Sequence, residues 1–139
     1  MPFYQFIQNP TYDQIDQLIT LYQEAGWWSA EIDSRDLLKG IISGSHCFCV
    51  AMIENRIVGM GRSISDGVSD AYIQDVAVAK SFRRKGIASR IVTELIKKLD
   101  ADGIGWIGLI AEKGSAEYYR PLGFDPMPNS TPMLKLRKL

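Results

Sequence analysis

Histidine occurs once in the 139 residues and cysteine only twice, and no linker, repeat or low-complexity stretch interrupts the chain. Each scarcity excludes something. Cys47 and Cys49 stand two apart in a strand-like run, His46-Cys-Phe-Cys-Val-Ala-Met-Ile53. Side chains at that spacing share a face, but the local backbone makes a bond between them strained. A metal site wants further ligands, and His46 has no second Cys or His cluster to join. The expectation is therefore no metal, two buried reduced cysteines and a satisfied strand-end histidine. Sixteen basic residues balance sixteen acidic ones, which argues against a general nucleic-acid or membrane-surface role. No apolar run approaches membrane-spanning length, and Met1-Pro-Phe-Tyr has no basic region leading into an apolar core. Neither a membrane span nor a signal peptide is expected, and the expected compartment is the cytoplasm. The phosphate-binding patterns G-x-x-x-x-G-K-[ST] and G-x-G-x-x-G are missing as well. With 46% hydrophobic and 23% charged residues, the chain reads as one domain over residues 1–139, long enough to build a core.

What is present is concentrated between Ala71 and Leu99. Ala71-Tyr-Ile-Gln-Asp-Val-Ala-Val-Ala79 is rich in β-branched and aromatic residues, and Ile87, Ala88, Ile91, Val92, Leu95, Ile96 and Leu99 recur at helical spacing. Between strand and helix lies Lys80-Ser-Phe-Arg-Arg-Lys-Gly-Ile-Ala88. A helix N-terminus offers unpaired N–H groups and partial positive charge, so this turn suits a phosphate or pyrophosphate. Gly86 lets the backbone approach the anion and Ala88 keeps the first turn open, while Lys80, Arg83, Arg84, Lys85 and Arg90 supply five cations with no acid among them in sequence. The bland alternative is a solvated helix start.

Val76-Ala-Val78 followed by Arg83-Arg-Lys-Gly-Ile-Ala88 resembles the acetyl-CoA-binding motif of the GNAT N-acetyltransferase superfamily, R/Q-x-x-G-x-G/A after a strand. The resemblance implies acetyl-CoA as co-substrate, held by Val76, Ala77, Val78, Arg83, Arg84, Lys85, Gly86, Ile87, Ala88 and Ser89, with a main-chain N–H near Val76 or Val78 serving the acetyl carbonyl. It also implies that the central strand and the next one splay apart to admit pantetheine. Tyr118-Tyr119-Arg-Pro-Leu-Gly123-Phe124 is similar to the family's F/Y-Y-x-x-x-G-F element and implies that Tyr119 stands beside the sulfur. The chemistry makes sense of a tyrosine there: a free thiol has a pKa of about 8.5 and tyrosine about 10, so the phenol holds its proton at neutral pH and can give it to the leaving thiolate. Tyr118 is assigned to packing. An alkylammonium with a pKa near 10.4 is only about one part in 10³ neutral at pH 7, so a base is wanted. Asp75, a charge in an otherwise apolar strand, is the leading candidate; its alternative role is as partner to a nearby Arg or a turn N–H. Glu112 is second. The asparagine frequent in the family at the start of this segment is absent from Ala111-Glu-Lys-Gly-Ser115.

Leu21-Tyr-Gln-Glu-Ala-Gly-Trp27-Trp28, Gly61-Arg-Ser-Ile-Ser-Asp-Gly67 and Tyr72-Ile-Gln-Asp-Val76 resemble the GNAT lineage of plant plastid acetyltransferases and their small bacterial relatives. There Trp27 and Trp28 would cover the acceptor cleft, one stacking on the acceptor and one plugging the core. Asp66 would attract a cationic amine, or simply serve its turn.

The remaining elements follow in order. A strand over 3–8 leads to a helix opened by Thr11-x-x-Gln14 as a capping box, bearing Ile15, Leu18, Ile19 and Tyr22 as its apolar stripe and stopping at Gly26. A second helix follows Ser34 and buries Leu37, Leu38, Ile41 and Ile42. Strands 45–53 and 56–64 form a hairpin at Glu54-Asn55, and Ser65-Asp66-Gly67 turns the chain into the central strand. Beyond the central helix come a strand over 104–111, a short helix over 115–122, a proline-bearing loop over 125–132 and a last strand over 133–137. This order describes an α+β domain with a central mixed, largely antiparallel, twisted sheet and helices on both faces, similar to the GNAT order. The implied activity is transfer of acetyl from acetyl-CoA to a primary amine, with no metal, nucleic acid or membrane involved. The oligomeric state is not readable, and a homodimer is allowed. Rival readings are a non-catalytic acyl-CoA-binding or protein-interaction module on the same fold, and a nucleic-acid binder using the Lys80–Arg90 cluster, which lacks an aromatic platform or recognition helix.

Overall fold

The computed structural model describes residues 1–112 and 114–137. The chain forms two compact units, Met1–Leu109 and Ile110–Leu139.

In the first unit, β1 (Phe3–Phe6) is followed by α1 (Tyr12–Glu24), α2 (Arg35–Gly44), β2 (Cys47–Ile53), β3 (Arg56–Ser65), β4 (Asp70–Val78), α3 (Ile87–Ala101) and β5 (Trp106–Leu109). Helix α1 starts where its capping box says it should: Thr11 Oγ1 accepts the Gln14 N–H, and Gln14 Oε1 accepts the Thr11 N–H. It stops at Gly26, whose φ of +79° lets Trp27 donate its N–H back to the Tyr22 carbonyl. Ser34 caps α2 through the Leu37 N–H. Leu38 and Ile42 of α2 are buried, but Leu37, expected inside, is 45% exposed because the cap places it on the outer side of the first turn.

The sheet runs β1-β2-β3-β4-β5, antiparallel throughout except for the parallel β4–β5 pair. Glu54 and Asn55 close the β2–β3 hairpin with both residues at positive φ, +48° and +66°, matching the right-handed twist of the strands. Alternation sorts the two faces. Phe48, Val50, Ile57 and Met60 pack with Ile15, Leu18, Leu21 and Tyr22 of α1 and Leu38 and Ile42 of α2. On the opposite face α3 lies so close over β3 that a β-carbon at Gly61 would stand 2.7 Å from Ile91 Cγ2. Ala71, Leu99 and Ile104 close the core at the far end of α3. β5 is shorter than expected, because the Ile104 N–H goes back to the Leu99 carbonyl as part of the α3 stop.

In the second unit, the four-residue helix α4 (Ala116–Tyr119) runs into a 3₁₀ turn over Arg120–Leu122 that Gly123 ends at φ +97°. The strand expected over 133–137 does not form. Leu134 and Leu136 alternate with Lys135 and Arg137, but no ladder partners them among the described residues, and Met133, Leu134 and Leu136 are exposed.

Candidate active site

The β4–β5 ladder ends at Ile73 and Leu109, while β4 continues to Val78. On that side, residues 74–78 have no partner strand among the described residues. Ala79 donates its N–H to the Val58 carbonyl of β3 at 2.8 Å. The alternation of an antiparallel ladder then turns the main-chain groups of Ala77 the same way and those of Val76 and Val78 toward the open edge. One of these outward groups is already used, since the Val78 carbonyl accepts Arg83 Nε at 3.0 Å.

After β4 the chain makes a 3₁₀ turn over Lys80–Phe82 and passes Arg84 at φ +64° and Gly86 at +79° before entering α3. No side chain caps α3. Among the described residues, the N–H groups of Arg84, Lys85, Gly86, Ile87 and Ala88 find no acceptor, whereas those of Phe82, Arg83 and Arg90 bond within the turn. Nothing lies within 4 Å of where a Gly86 β-carbon would stand, so the space beside its α-carbon is open. This is a row of unpartnered N–H groups at the positive end of a 15-residue helix.

The side chains divide differently from the sequence expectation. Ile87 is buried and offers only its backbone. Arg83 braces the strand end, Lys85 lies over the Phe82 ring at 5.4 Å with Arg56 also 5.4 Å from it, and Arg90 is drawn off to Glu94 at 3.0 Å and to the Tyr4 ring at 5.1 Å. Two acids that are remote or later in sequence therefore approach the cluster, because Glu24 Oε1 also accepts the Lys80 N–H at 3.1 Å. Thr93 Oγ1 donates to the Ser89 carbonyl inside α3.

A strand, a glycine-bearing turn with unpartnered N–H groups and a helix, set in one sheet with an open central edge, are matched by a family model described as the acetyltransferase (GNAT) family over residues 8–124. The chain belongs to the GNAT acetyltransferase family. A curated relative from Arabidopsis thaliana, GCN5-related N-acetyltransferase 1, chloroplastic, is 32% identical over 114 residues, 79% of this chain. The match covers 55% of that relative, so the chain spans about half its length. Among solved structures, a GNAT-family acetyltransferase from Streptococcus pneumoniae TIGR4 superposes with a TM-score of 0.82 over 100% of both chains at 23% identity. An aminoglycoside 6′-N-acetyltransferase complexed with coenzyme A superposes at 0.72, over 87% of this chain and 83% of that one, at 16% identity.

Asp75 sits at a bulge in this GNAT sheet. Arg62 pairs with Gln74 and Met60 with Ala77, so Gly61 faces both Asp75 and Val76, and Asp75 takes φ +57°. Its Oδ2 accepts from the Tyr22 hydroxyl at 2.8 Å and from Arg62 Nε at 2.7 Å. The Arg partner foreseen as the alternative is therefore real, and it is joined by a tyrosine that sequence reasoning had counted only as core. The signal for Arg62 was legible in its place across the hairpin from Asp75; nothing local pointed Tyr22 at Asp75. Burial first, then the Asp75 charge, pushes the Tyr22 hydroxyl well above the usual tyrosine range.

Trp27 and Trp28 both contact the Tyr22 ring, with centroids at 6.3 and 6.2 Å. Trp28 packs against the α1–α2 core, the place expected of one of the pair, while Trp27 is exposed. Asp66 is elsewhere, at the opposite end of β4, which at about 3.3 Å per residue is a strand-length away from Val78. Its carboxylate accepts the Val68 and Ser69 N–H groups and the Ser69 hydroxyl, which hold it down to about 2. The turn consumes Asp66, and it leaves the candidate site.

In the second unit, Tyr119 lies edge-on to Tyr118 at 5.6 Å and to Phe124 at 6.0 Å, and its carbonyl accepts the Phe124 N–H. Gly123 and Phe124 thus fold back on the tyrosine. Burial, then Tyr118 and Glu112, raises the Tyr119 hydroxyl above its ordinary 10. The cysteines are free and buried, and His46 is held between Ser63 Oγ and Asp102 Oδ2. Among the described residues no group of three His, Cys, Asp or Glu side chains is arranged to hold a metal.

Proposed function

We propose that this chain is an acetyl-CoA-dependent N-acetyltransferase in which a primary amine, on a small molecule or a protein, attacks the thioester directly. The observation that carries the reading is the row of unpartnered N–H groups from Arg84 to Ala88, entered through two positive-φ residues and open above Gly86. Five unpartnered donors in sequence at a helix N-terminus suit a diphosphate. Bound there, acetyl-CoA supplies an acetyl group activated as a thioester.

The chain's own groups then have distinct tasks. Outward main-chain groups of Val76 and Val78 hold the pantetheine arm, and an N–H among them polarises the acetyl carbonyl. Tyr119, whose raised pKa keeps it protonated at neutral pH, gives its proton to the departing sulfur. Asp75 receives the amine's proton, directly or through water, at Oδ1, since Oδ2 is committed to Tyr22 and Arg62. Glu112 is the alternative base. Trp27 presents its exposed ring to the acceptor.

Thiol release from acetyl-CoA over a panel of polyamines, arylalkylamines, amino acids and peptides tests the activity. In Tyr119→Phe, turnover should fall by roughly 10², the low end for lost general acid catalysis from a tolerable leaving group, while coenzyme affinity is kept. Unchanged turnover removes Tyr119 from the mechanism.

A further inference from the structure

Tyr22 has no part in the chemistry above, yet it is tied to the site more firmly than a space-filling core residue needs to be. It is 4% exposed, and its ring meets Trp27 and Trp28 at interplanar angles of 65° and 47°. Its hydroxyl reaches across to Asp75 on β4, 53 residues away in sequence. Asp75 itself stands at φ +57°, a conformation that a non-glycine residue keeps only where its surroundings hold it. Arg62 and Tyr22 both grip Oδ2 and supply that hold, and Val76, the next residue, begins the outward-facing edge. One continuous set of contacts thus runs from the tryptophan loop, through a phenol and a carboxylate, into the bulge beside the thioester position.

We infer that Tyr22 is a positioning residue, which fixes the Trp27–Trp28 loop against the β4 bulge and so sets where the acceptor amine stands relative to Val76 and Val78. This rests on the transferase reading of that edge. A merely structural role for Tyr22 would affect stability and nothing else.

Tyr22→Phe separates the two, because it keeps the ring between the tryptophans and removes only the hydroxyl. Thiol release is measured with 2-phenylethylamine, spermidine and a lysine peptide, acrylamide quenching reports on the indoles, and calorimetry measures acetyl-CoA binding. The expected result is an acceptor KM raised about tenfold, the worth of one hydrogen bond to a charged group, with acetyl-CoA affinity close to wild type and stronger quenching of the indoles. An unchanged acceptor KM overturns the inference even if the melting temperature falls. If wild type acetylates none of the three amines, unchanged quenching in Tyr22→Phe overturns it alone. Failure of the transferase reading looks different, as wild-type protein that binds no acetyl-CoA. If Tyr22→Phe does not fold, the same readouts on Arg62→Gln, which loosens the other grip on Asp75, should move in the same direction; no movement counts against the inference.

Discussion

Alanine at Gly59 or Gly61, alone and with Ile91→Val, probes the close packing of α3 on β3 that shapes the sheet beneath the site. At Gly59 the added carbon would stand 2.9 Å from Ile91 Cδ1 and 3.2 Å from Ile87 Cγ2; at Gly61 it would stand 2.7 Å from Ile91 Cγ2 and 3.3 Å from Val76 Cγ2. Carbon pairs prefer about 3.5–4.0 Å, so both substitutions overpack, but against different atoms of the same isoleucine. A β-branched side chain in a helix is fixed at χ1, so Cγ2 cannot turn away, whereas Cδ1 is a chain end. Gly61→Ala should therefore cost about 1–3 kcal/mol and Gly59→Ala should fall at the low end of that range. The reduced freedom of the unfolded chain offsets up to about 1 kcal/mol at both positions alike. Ile91→Val costs about 0.5–1.5 kcal/mol by itself. It removes Cδ1 and leaves Cγ2, so it should relieve Gly59→Ala and not Gly61→Ala. In a double-mutant cycle from urea unfolding, the 59–91 pair should show coupling above about 0.5 kcal/mol and the 61–91 pair should be additive within error. Equal relief in both pairs, or in neither, would refute the packing argument.

Further outcomes follow from the titrating groups. Tyr119 must be protonated to act and its pKa is raised, so the rate should hold on the alkaline side until the pH passes the ordinary tyrosine value of 10, and that alkaline limb should be missing from the pH profile of Tyr119→Phe. Lys98, then His46, holds the Asp102 carboxyl below its ordinary 3.8. A carboxyl lowered in the folded state adds stability above its unfolded value and loses it as the pH falls through the lowered one. Asp102→Asn should thus melt earlier than wild type at pH 7, and the gap should close in strong acid. Cys49 is wholly buried and its thiol is pushed up to about 12. Iodoacetamide at pH 8 should leave it untouched in native protein and alkylate it in urea; rapid native labelling counted by mass spectrometry would contradict its burial.

The parts of the fold legible in the sequence are those fixed by neighbours along the chain. The Thr11–Gln14 box, the Ser34 cap, the Glu54-Asn55 hairpin and the glycine stops at Gly26 and Gly123 each depend on a few consecutive residues. The strand–turn–helix order around the proposed anion cradle was legible for the same reason, since strand, Arg84-Lys-Gly86 and helix are contiguous. What escaped depends on contacts between distant segments. Tyr22 at helical spacing looks like one more core residue, and only the packing of α1 on the sheet brings its hydroxyl to Asp75 beside Arg62. The removal of Arg90 from the cation cluster is half local, since Glu94 is one helical turn on, and half distant, since the Tyr4 ring comes from β1. Residues 133–137 failed in the other direction: alternation is a local property, but a strand exists only when another strand accepts its hydrogen bonds.

The most direct test is a titration of the ¹⁵N-labelled protein with acetyl-CoA, followed amide by amide. Signals of Arg84 to Ala88 should shift most, joined by Val76 and Val78, while those of the Asp66 turn stay in place. Shifts confined to other regions, with the amides from Arg84 to Ala88 unmoved at saturation, would contradict the assignment of that turn as the diphosphate cradle.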